Sequence, residues 1–354
     1  MDHAYRVASA GQIVQIAGGS YGKQRVAADT SKVGPQRVIF RPANGSRPTF
    51  DDLDIFASHL ELQGITTSVW HTEPGAADVV FRNVTTRLFF ITSSRDISVI
   101  GGSVGPSENQ ASEIRNCTDC TTISSGIHIN GVFFHDYVKT DPNVHMECLH
   151  AYPVQNMEVV NSRFTNCAIM DLFLANYGNA GDLSNIVVEN NYFDSPGSRG
   201  GALSAGYYAV MFEYGSHSLS NVHLAYNSML AAPIIDGTSG RVSNVSFVAN
   251  VGAFSPWLCL KGVTYVRNVW TQAACSPTDT RAPSSFVKPE TLDLRLLPGA
   301  AAVGHGDQND FPRGDISGSL RSPVAPDAGA SQQEPAAIIP GQSIGAVRLG
   351  MGRE

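Results

Sequence analysis

The sequence predicts an all-β protein, built as a single right-handed parallel β-helix with an N-terminal cap and a C-terminal closing segment. Three observations lead to this fold class. Short segments with alternating apolar residues recur along the chain, and each turns at an asparagine or a glycine. Stretches with a helical period are nearly absent, apart from a short piece near DHAYRVAS. Charged residues make up only 16% of the chain, which is low for a helical cytosolic protein.

The recurring segments share one pattern, in which alternating apolar residues lead to an asparagine and then to an apolar pair or a phenylalanine. They are VVFRNVTT, GIHINGVFF, MEVVNSRF, IVVENNYF, VHLAYNSML, VSFVANVGAF and VTYVRNVW, with the shared asparagine at Asn83, Asn130, Asn161, Asn190, Asn227, Asn250 and Asn268. Asparagine tolerates the left-handed conformation that a sharp turn needs. We therefore expect stacked coils in which these amides lie above one another and bond along the stack.

Three regions of the chain resemble the pectate-lyase-like superfamily of right-handed parallel β-helix repeat proteins, especially its secreted bacterial members. AYRVASAGQIVQIAGGSYGKQRV is similar to the family's N-terminal cap and first coil, and the asparagine-turn copies are similar to its body. DLRLLPGAAAVGHGDQNDFPRGDISGSLRSPVAPDAGA is similar to its closing segment. The resemblance implies one β-helix domain over residues 1–330, with the cap and first coil at 4–35 and the closing segment at 276–330. Residues 331–354 are expected to form a linker or tail, or the start of a truncated module.

Charge and cysteine content limit the possible partners and the compartment. The net charge is −7 and no basic stripe is visible, so nucleic acid is not an expected partner. No apolar run of about 18 residues predicts a membrane span. The six cysteines fall into close pairs, which indicates either disulfides formed in an oxidising compartment or unpaired core cysteines. We expect a secreted or cell-surface protein whose signal peptide has been removed, since none opens this chain.

The stretch NVHMECLHAYP, at residues 143–153, carries the densest group of reactive side chains. Alternation along a strand would turn Met146 and Cys148 inward and His145 and Glu147 outward, with His150 at the strand end. We expect Glu147 to align with Asp171 of the next coil. The predicted catalytic set combines these rungs with a later one: His145, Glu147, His150, Asp171 and Glu213.

Further residues are predicted to bind substrate or a cation near these rungs. Long loops on a rigid scaffold often carry function, and tryptophan can stack on sugar rings. The predicted substrate contacts are Asp236, Tyr208, Arg199, Lys261 and Trp257. Oxygen ligands suit calcium, so a Ca²⁺ site could be built from Glu147, Asp171 and Asp141. A catalytic zinc is not expected, because His145 and His150 are neither four residues apart nor on a helix.

The predicted site is compatible with two ways of cleaving an extracellular polysaccharide or oligosaccharide. A polysaccharide lyase needs a base, a cation that neutralises the uronate carboxylate, and often an acid for the leaving group. A glycoside hydrolase needs two carboxylates about 5 to 9.5 Å apart, which strands stacked about 4.8 Å apart can supply. The resemblance favours a lyase over a hydrolase. The alternative is a non-catalytic solenoid that binds glycan or displays loops at a surface.

Overall fold

The computed structural model describes residues 1–117, 120, 122–176, 181–194, 208–237, 241–254 and 259–333. The chain begins with one short helix, α1 (Asp2–Val7), and apart from a 3-10 turn at Pro289–Thr291 the regular structure that follows in the described residues is β-strand. In the described part of the chain, no helix has the length and apolar character that crossing a bilayer requires.

The strands are short and follow one another closely along the chain. The first half contains β1 (Ile13–Ile16), β2 (Gly19–Ser20), β3 (Lys23–Val26), β4 (Val38–Pro42), β5 (Pro48–Ile55), β6 (Leu60–Gln63), β7 (Thr66–Thr72), β8 (Ala77–Arg82), β9 (Thr85–Thr92), β10 (Arg95–Ile100), β11 (Ser103–Val104), β12 (Ser107–Glu108), β13 (Ser112–Arg115), β14 (Ser124–Asn130), β15 (Phe133–Val138) and β16 (Glu147–Ala151). The second half contains β17 (Val154–Val160), β18 (Arg163–Cys167), β19 (Met170–Ala175), β20 (Leu183–Glu189), β21 (Tyr192–Asp194), β22 (Tyr208–Glu213), β23 (Ser218–Ala225), β24 (Ser228–Met229), β25 (Ala232–Asp236), β26 (Arg241–Val248), β27 (Val251–Gly252), β28 (Val263–Val266), β29 (Val269–Trp270), β30 (Thr280–Arg281), β31 (Phe286–Lys288) and β32 (Asp293–Leu296).

One large parallel sheet, here called sheet A, takes one strand from each coil in the order β1-β4-β6-β8-β10-β14-β17-β20-β23-β26-β28. Two further parallel faces complete each coil. Face B contains β11, β15, β18, β21, β24, β27 and β29, and face C contains β13, β16, β19, β22 and β25. The long strand β9 serves both faces, because its start pairs with β11 and its end with β13.

A chain that runs repeatedly from sheet A to face B to face C and back to sheet A is a parallel β-helix. Its hand is the right-handed one that parallel crossovers take. The predicted fold class is therefore confirmed.

The interior is filled by apolar side chains that all three faces turn inward. Phe134, Phe164 and Phe193 come from successive face B strands and stack with ring centroids 4.6 and 5.0 Å apart. Trp70 is fully buried between Phe81 and Phe89, at 3.7 and 4.6 Å. Removing such surfaces from water is the main favourable term in folding, and stacked rings add to it.

The turn from sheet A to face B explains the repeated asparagines, but it contains two rows of them rather than one. The first turn residue has a left-handed backbone, as at Asn83 (φ 52°), Asn161 (φ 52°) and Asn190 (φ 61°). The next residue is buried, and from Asn191 onward this second row forms a ladder that ends at Asp279, with amide nitrogen to oxygen distances of 3.0 Å at every step: Asn191, Asn227, Asn250, Asn268 and Asp279. The predicted single row is thus offset by one residue between its early and late copies, and Asn130 lies one residue earlier still, before the left-handed Gly131.

The closing segment packs against the last coils through a buried arginine. Arg321 is 3% exposed and donates from Nη2 to the Asn190 side-chain oxygen at 2.7 Å and to the Gly329 carbonyl at 2.8 Å. Leu294, Ala302 and Ala328 lie in the small apolar cluster beneath it. The domain boundaries given above remain predictions, and most of the predicted tail, residues 334–354, lies outside the described residues.

All six cysteines are paired, as Cys117–Cys120, Cys148–Cys167 and Cys259–Cys275. The three close sequence pairs are therefore disulfides rather than unpaired core cysteines. The second of them ties β16, which begins at Glu147, to the end of β18 in the following coil.

The buried ladder predicts a large stability loss for Asn250→Ala. The Asn250 side-chain oxygen accepts from the backbone and side-chain nitrogens of Asn227, and its amide donates to the Leu224 carbonyl. Leaving these buried groups unsatisfied should lower the free energy of unfolding by at least about 2 kcal/mol, measured by urea unfolding. The matched control is Asn221→Gly, in an exposed ladder at φ 54°, where glycine fits and the loss should stay under about 1 kcal/mol. Equal losses in the two variants would contradict a special role of the buried ladder.

Candidate functional site

Strand register stacks one side chain per coil along the outside of face C. We call this series the face C row, and its directly paired members are His71, Phe90, Glu113, His150, Phe173 and Met211. Within the row, the rings of His71 and Phe90 stack at 4.9 Å and those of His150 and Phe173 at 4.7 Å. The row thus places rings and a carboxylate at intervals of one strand spacing, about 4.8 Å, with Phe90, His150 and Phe173 buried and Glu113 partly exposed.

The centre of the site is the carboxylate of Glu147, at the start of β16. Glu147 is fully buried, and its Oε1 lies 3.2 Å from Nδ1 of His145. Its Oε2 lies 3.8 Å from Nδ1 of His150. One carboxylate therefore lies between two histidines of very different exposure, since the His145 side chain is 67% exposed and that of His150 is 7% exposed.

The two histidines respond to this carboxylate in opposite directions. The hydrogen bond to Glu147 raises the pKa of His145, against partial burial and the nearby charge of Lys139. Burial lowers the pKa of His150, and the charge of Glu147 only partly opposes it. At neutral pH, His150 is therefore the neutral ring, and His145 is the one that takes up a proton more readily than an ordinary histidine.

The predicted alignment of Glu147 with Asp171 is wrong by one residue. Glu147 pairs with Met170, and alternation places it in phase with the buried Leu149 and Ala151. The shift arises from the different lengths of the two turns from face B to face C. Residues 139–146 connect β15 to β16, whereas only two residues connect β18 to β19, so equal positions in the two sequence segments do not pair. Glu147 and Asp171 were both expected on the outside, yet both are fully buried. The expected burial of Met146 and Cys148 and the expected exposure of His145 are confirmed.

Of the later predicted residues that the structure describes, Tyr208, Glu213 and Asp236 lie along the same face and Lys261 does not. Glu213 and Asp236 pair directly between β22 and β25, and the charge of Glu213 contributes to the raised pKa of His145. Tyr208 is half-buried and pairs with Met170, so it continues the ladder position of Glu147. Lys261 is exposed in the turn before β28, which belongs to sheet A rather than to face C. Arg199 and Trp257 lie outside the described residues.

The predicted calcium ligands do not form one cation site. Glu147, Asp171 and Asp141 do not bring ligand oxygens within 4.8 Å of one another. The reason is that Asp141 is engaged in its own turn, where Oδ1 accepts from the backbone and side-chain nitrogens of Asn143 at 2.9 and 3.0 Å, while Glu147 lies between its histidines. No step below depends on calcium at this set.

A different group has the spacing of metal ligands in the described residues, namely Asp52, Asp54 and His71. Lys23 already neutralises it, because its Nζ lies 2.8 Å from Asp52 and 2.9 Å from Asp54. The group is therefore an ion-pair cluster on the N-terminal coils.

Four residues beside the central carboxylate were not predicted: Glu113, Arg115, Tyr152 and Phe173. Glu113 pairs directly with His150, and Arg115 lies 3.4 Å from Glu113 and 4.4 Å over the Phe90 ring. The ring of Tyr152 stacks on His150 at 4.4 Å. These residues belong to no local motif, and only an alignment of neighbouring coils in their true register would have found them.

Comparisons with protein-family models and with curated proteins give no match. Among solved structures, pectate lyase Pel9A is 12% identical with a TM-score of 0.42, and the match covers 94% of this chain and 90% of that one. A rhamnogalacturonan lyase is 10% identical with a TM-score of 0.45, covering 80% of this chain and 84% of that one. The PL6 family alginate lyase AlyGC is 10% identical with a TM-score of 0.33, covering 84% and 55%. The assignment of the fold rests on the strand ladders of this chain itself.

Proposed function

We propose that this protein is an extracellular, carbohydrate-active β-helix protein that cleaves a uronate-containing polysaccharide by β-elimination on face C. The observation that carries the proposal is the contact between the buried Glu147 carboxylate and Nδ1 of the exposed His145. A histidine oriented by a carboxylate through one nitrogen offers the other nitrogen as a general base.

His145 is the base in this mechanism. Its Nδ1 lies against Glu147, so Nε2 is the nitrogen that meets substrate. It removes the proton on the carbon next to the uronate carboxylate, and Glu147 stabilises the resulting imidazolium. The contact with Glu147 also fixes the orientation of the ring, which is what a base positioned on a strand end requires.

Lys139 supplies the positive charge that this chemistry needs. Negative charge builds up on the uronate carboxylate as the proton leaves, and a nearby cation stabilises it. The charge of Lys139 is close enough to His145 to act against the rise in its pKa. The half-buried ring of Tyr152, which stacks on the buried His150, provides an apolar surface against which a sugar ring can lie.

The lyase fits this site better than a glycoside hydrolase. A hydrolase needs two carboxylates facing the scissile bond from opposite sides. Glu147 is fully buried with each oxygen near a histidine, so it is suited to orient a base rather than to attack a sugar.

The proposed extracellular location is supported by the three disulfides, which form and persist in oxidising compartments. The proposed partner is a polysaccharide or oligosaccharide, and neither nucleic acid nor a lipid bilayer is part of the proposal.

The first test is a screen of polyuronates for the ultraviolet absorbance of the unsaturated product. Wild-type protein should give this signal, and His145→Ala should reduce the rate by about 10²-fold or more, because a positioned base contributes that much. The matched control is His128→Ala, since His128 forms a similar pair with Glu158 at 2.8 Å on the outside of sheet A and should not affect the rate.

The other outcomes of the screen separate the rival functions. New reducing ends without absorbance would indicate a hydrolase. Binding of glycan with neither signal would support the non-catalytic solenoid instead.

The second test is the pH dependence of the rate, compared between wild type and Glu147→Gln. The base acts when neutral, so the rate should rise with pH through the pKa of His145. Glu147 raises that pKa, so its removal should move the acidic limb of the profile to lower pH while the maximal rate falls. Proton NMR titration of His145 should show the same downward shift. An acidic limb that stays in place, or moves to higher pH, would contradict the role of Glu147.

A further inference from the structure

Glu113 occupies a position that the mechanism above does not use. It lies on β13, one coil before the strand of Glu147, and its direct register partner is His150. Its other neighbour in the face C row is Phe90. The Glu113 side chain is 22% exposed, so it is partly covered but accessible from outside the β-helix.

The surroundings of Glu113 favour its protonated form. The charged and titratable groups around it are Arg115 on its own strand and Glu147, His150 and Tyr152 from the next coil. Burial raises the pKa of Glu113 and the charge of Glu147 adds to this, while Arg115, with a nitrogen 3.4 Å away, opposes it. Burial lowers the pKa of His150, so at neutral pH this ring adds no compensating positive charge.

Glu113 and His145 lie toward different neighbouring coils: the His145 ring is 6.5 Å from the ring of Phe173 in the next coil, whereas Glu113 is on the strand of the coil before. His145 responds to the charge of Glu213, which belongs to a later coil, whereas Glu113 belongs to an earlier one. Between them lies the half-buried ring of Tyr152, stacked on His150, and a sugar ring that reaches from one to the other passes over it. Two titrating groups in different surroundings can hold different protonation states at the same pH, as an acid and base pair requires.

We propose that Glu113 is the general acid that protonates the leaving sugar oxygen, an assignment that rests on the proposed lyase function. In the step, Nε2 of His145 takes the proton next to the uronate carboxylate, and that electron pair forms the carbon–carbon double bond. The bond between carbon and the leaving oxygen breaks, and this oxygen receives the proton of Glu113. The imidazolium then loses its proton to water, and the Glu113 carboxylate regains one.

The experiment compares two substrates with Glu113→Gln. One is a polyuronate, whose leaving group is a sugar oxygen that needs a proton. The other is a uronate with fluoride in place of that oxygen, which leaves without one. Glu113→Gln should lower kcat by about 10²-fold or more on the polymer and by less than about 5-fold on the fluoride. His145→Ala should lower both, since both reactions need the base.

Other results of this experiment would contradict the assignment of Glu113 or the proposed function. Equal losses on the two substrates would overturn the role of Glu113 as an acid. If Glu113→Gln does not fold, the wild-type pH profile decides, because the polymer rate should fall at high pH as Glu113 loses its proton while the fluoride rate should not. A wild-type protein that converts neither substrate would overturn the proposed function itself, and the assignment of Glu113 with it.

Discussion

Hydrogen bonding from coil to coil is the interaction on which the rest of this molecule depends. The buried asparagines satisfy the turn between sheet A and face B in successive coils, because each accepts from a backbone nitrogen of the coil before it and donates to a strand carbonyl. This bonding holds the turn in one conformation, so neighbouring coils have little freedom to slip. In the earlier coils, parallel backbone hydrogen bonding between strands fixes the register in the same way, and the face C row is its direct product.

The fold was predictable because its signals are local, whereas the site depends on register. Alternation and the turn asparagines lie within a few residues of one another, so they predict the coil directly. The grouping of His145, Glu147 and His150 was also visible, because they lie close together in one stretch. The pairing of Glu147 with Met170 was not visible in the sequence, since it depends on the residue at which the preceding loop ends and the strand begins. Glu113 has no local signature at all, as the contact with β16 arises only when β13 stacks beside it.

Burial accounts for the chemical asymmetry of the site. The same carboxylate lies near one nitrogen of His145 and one nitrogen of His150, yet the pKa of His145 is raised and that of His150 is lowered. At His145 the hydrogen bond to Glu147 outweighs partial burial, whereas at His150 burial outweighs the charge of Glu147. A single acidic group therefore lies beside two histidines whose pKa values are shifted in opposite directions.

The contact between Arg321 and Asn190 joins positions 131 residues apart in sequence, which changes how the C-terminal coils can come apart. In a simple solenoid each coil touches only its neighbours, so a terminal coil can fray alone. Here the closing segment contacts several coils. The last coils therefore cannot separate from the stack unless the Arg321 guanidinium loses its hydrogen bonds to Asn190 and Gly329. We therefore expect the coils from β20 onward and the closing segment to open as one cooperative unit, separately from the N-terminal coils, which this contact does not reach.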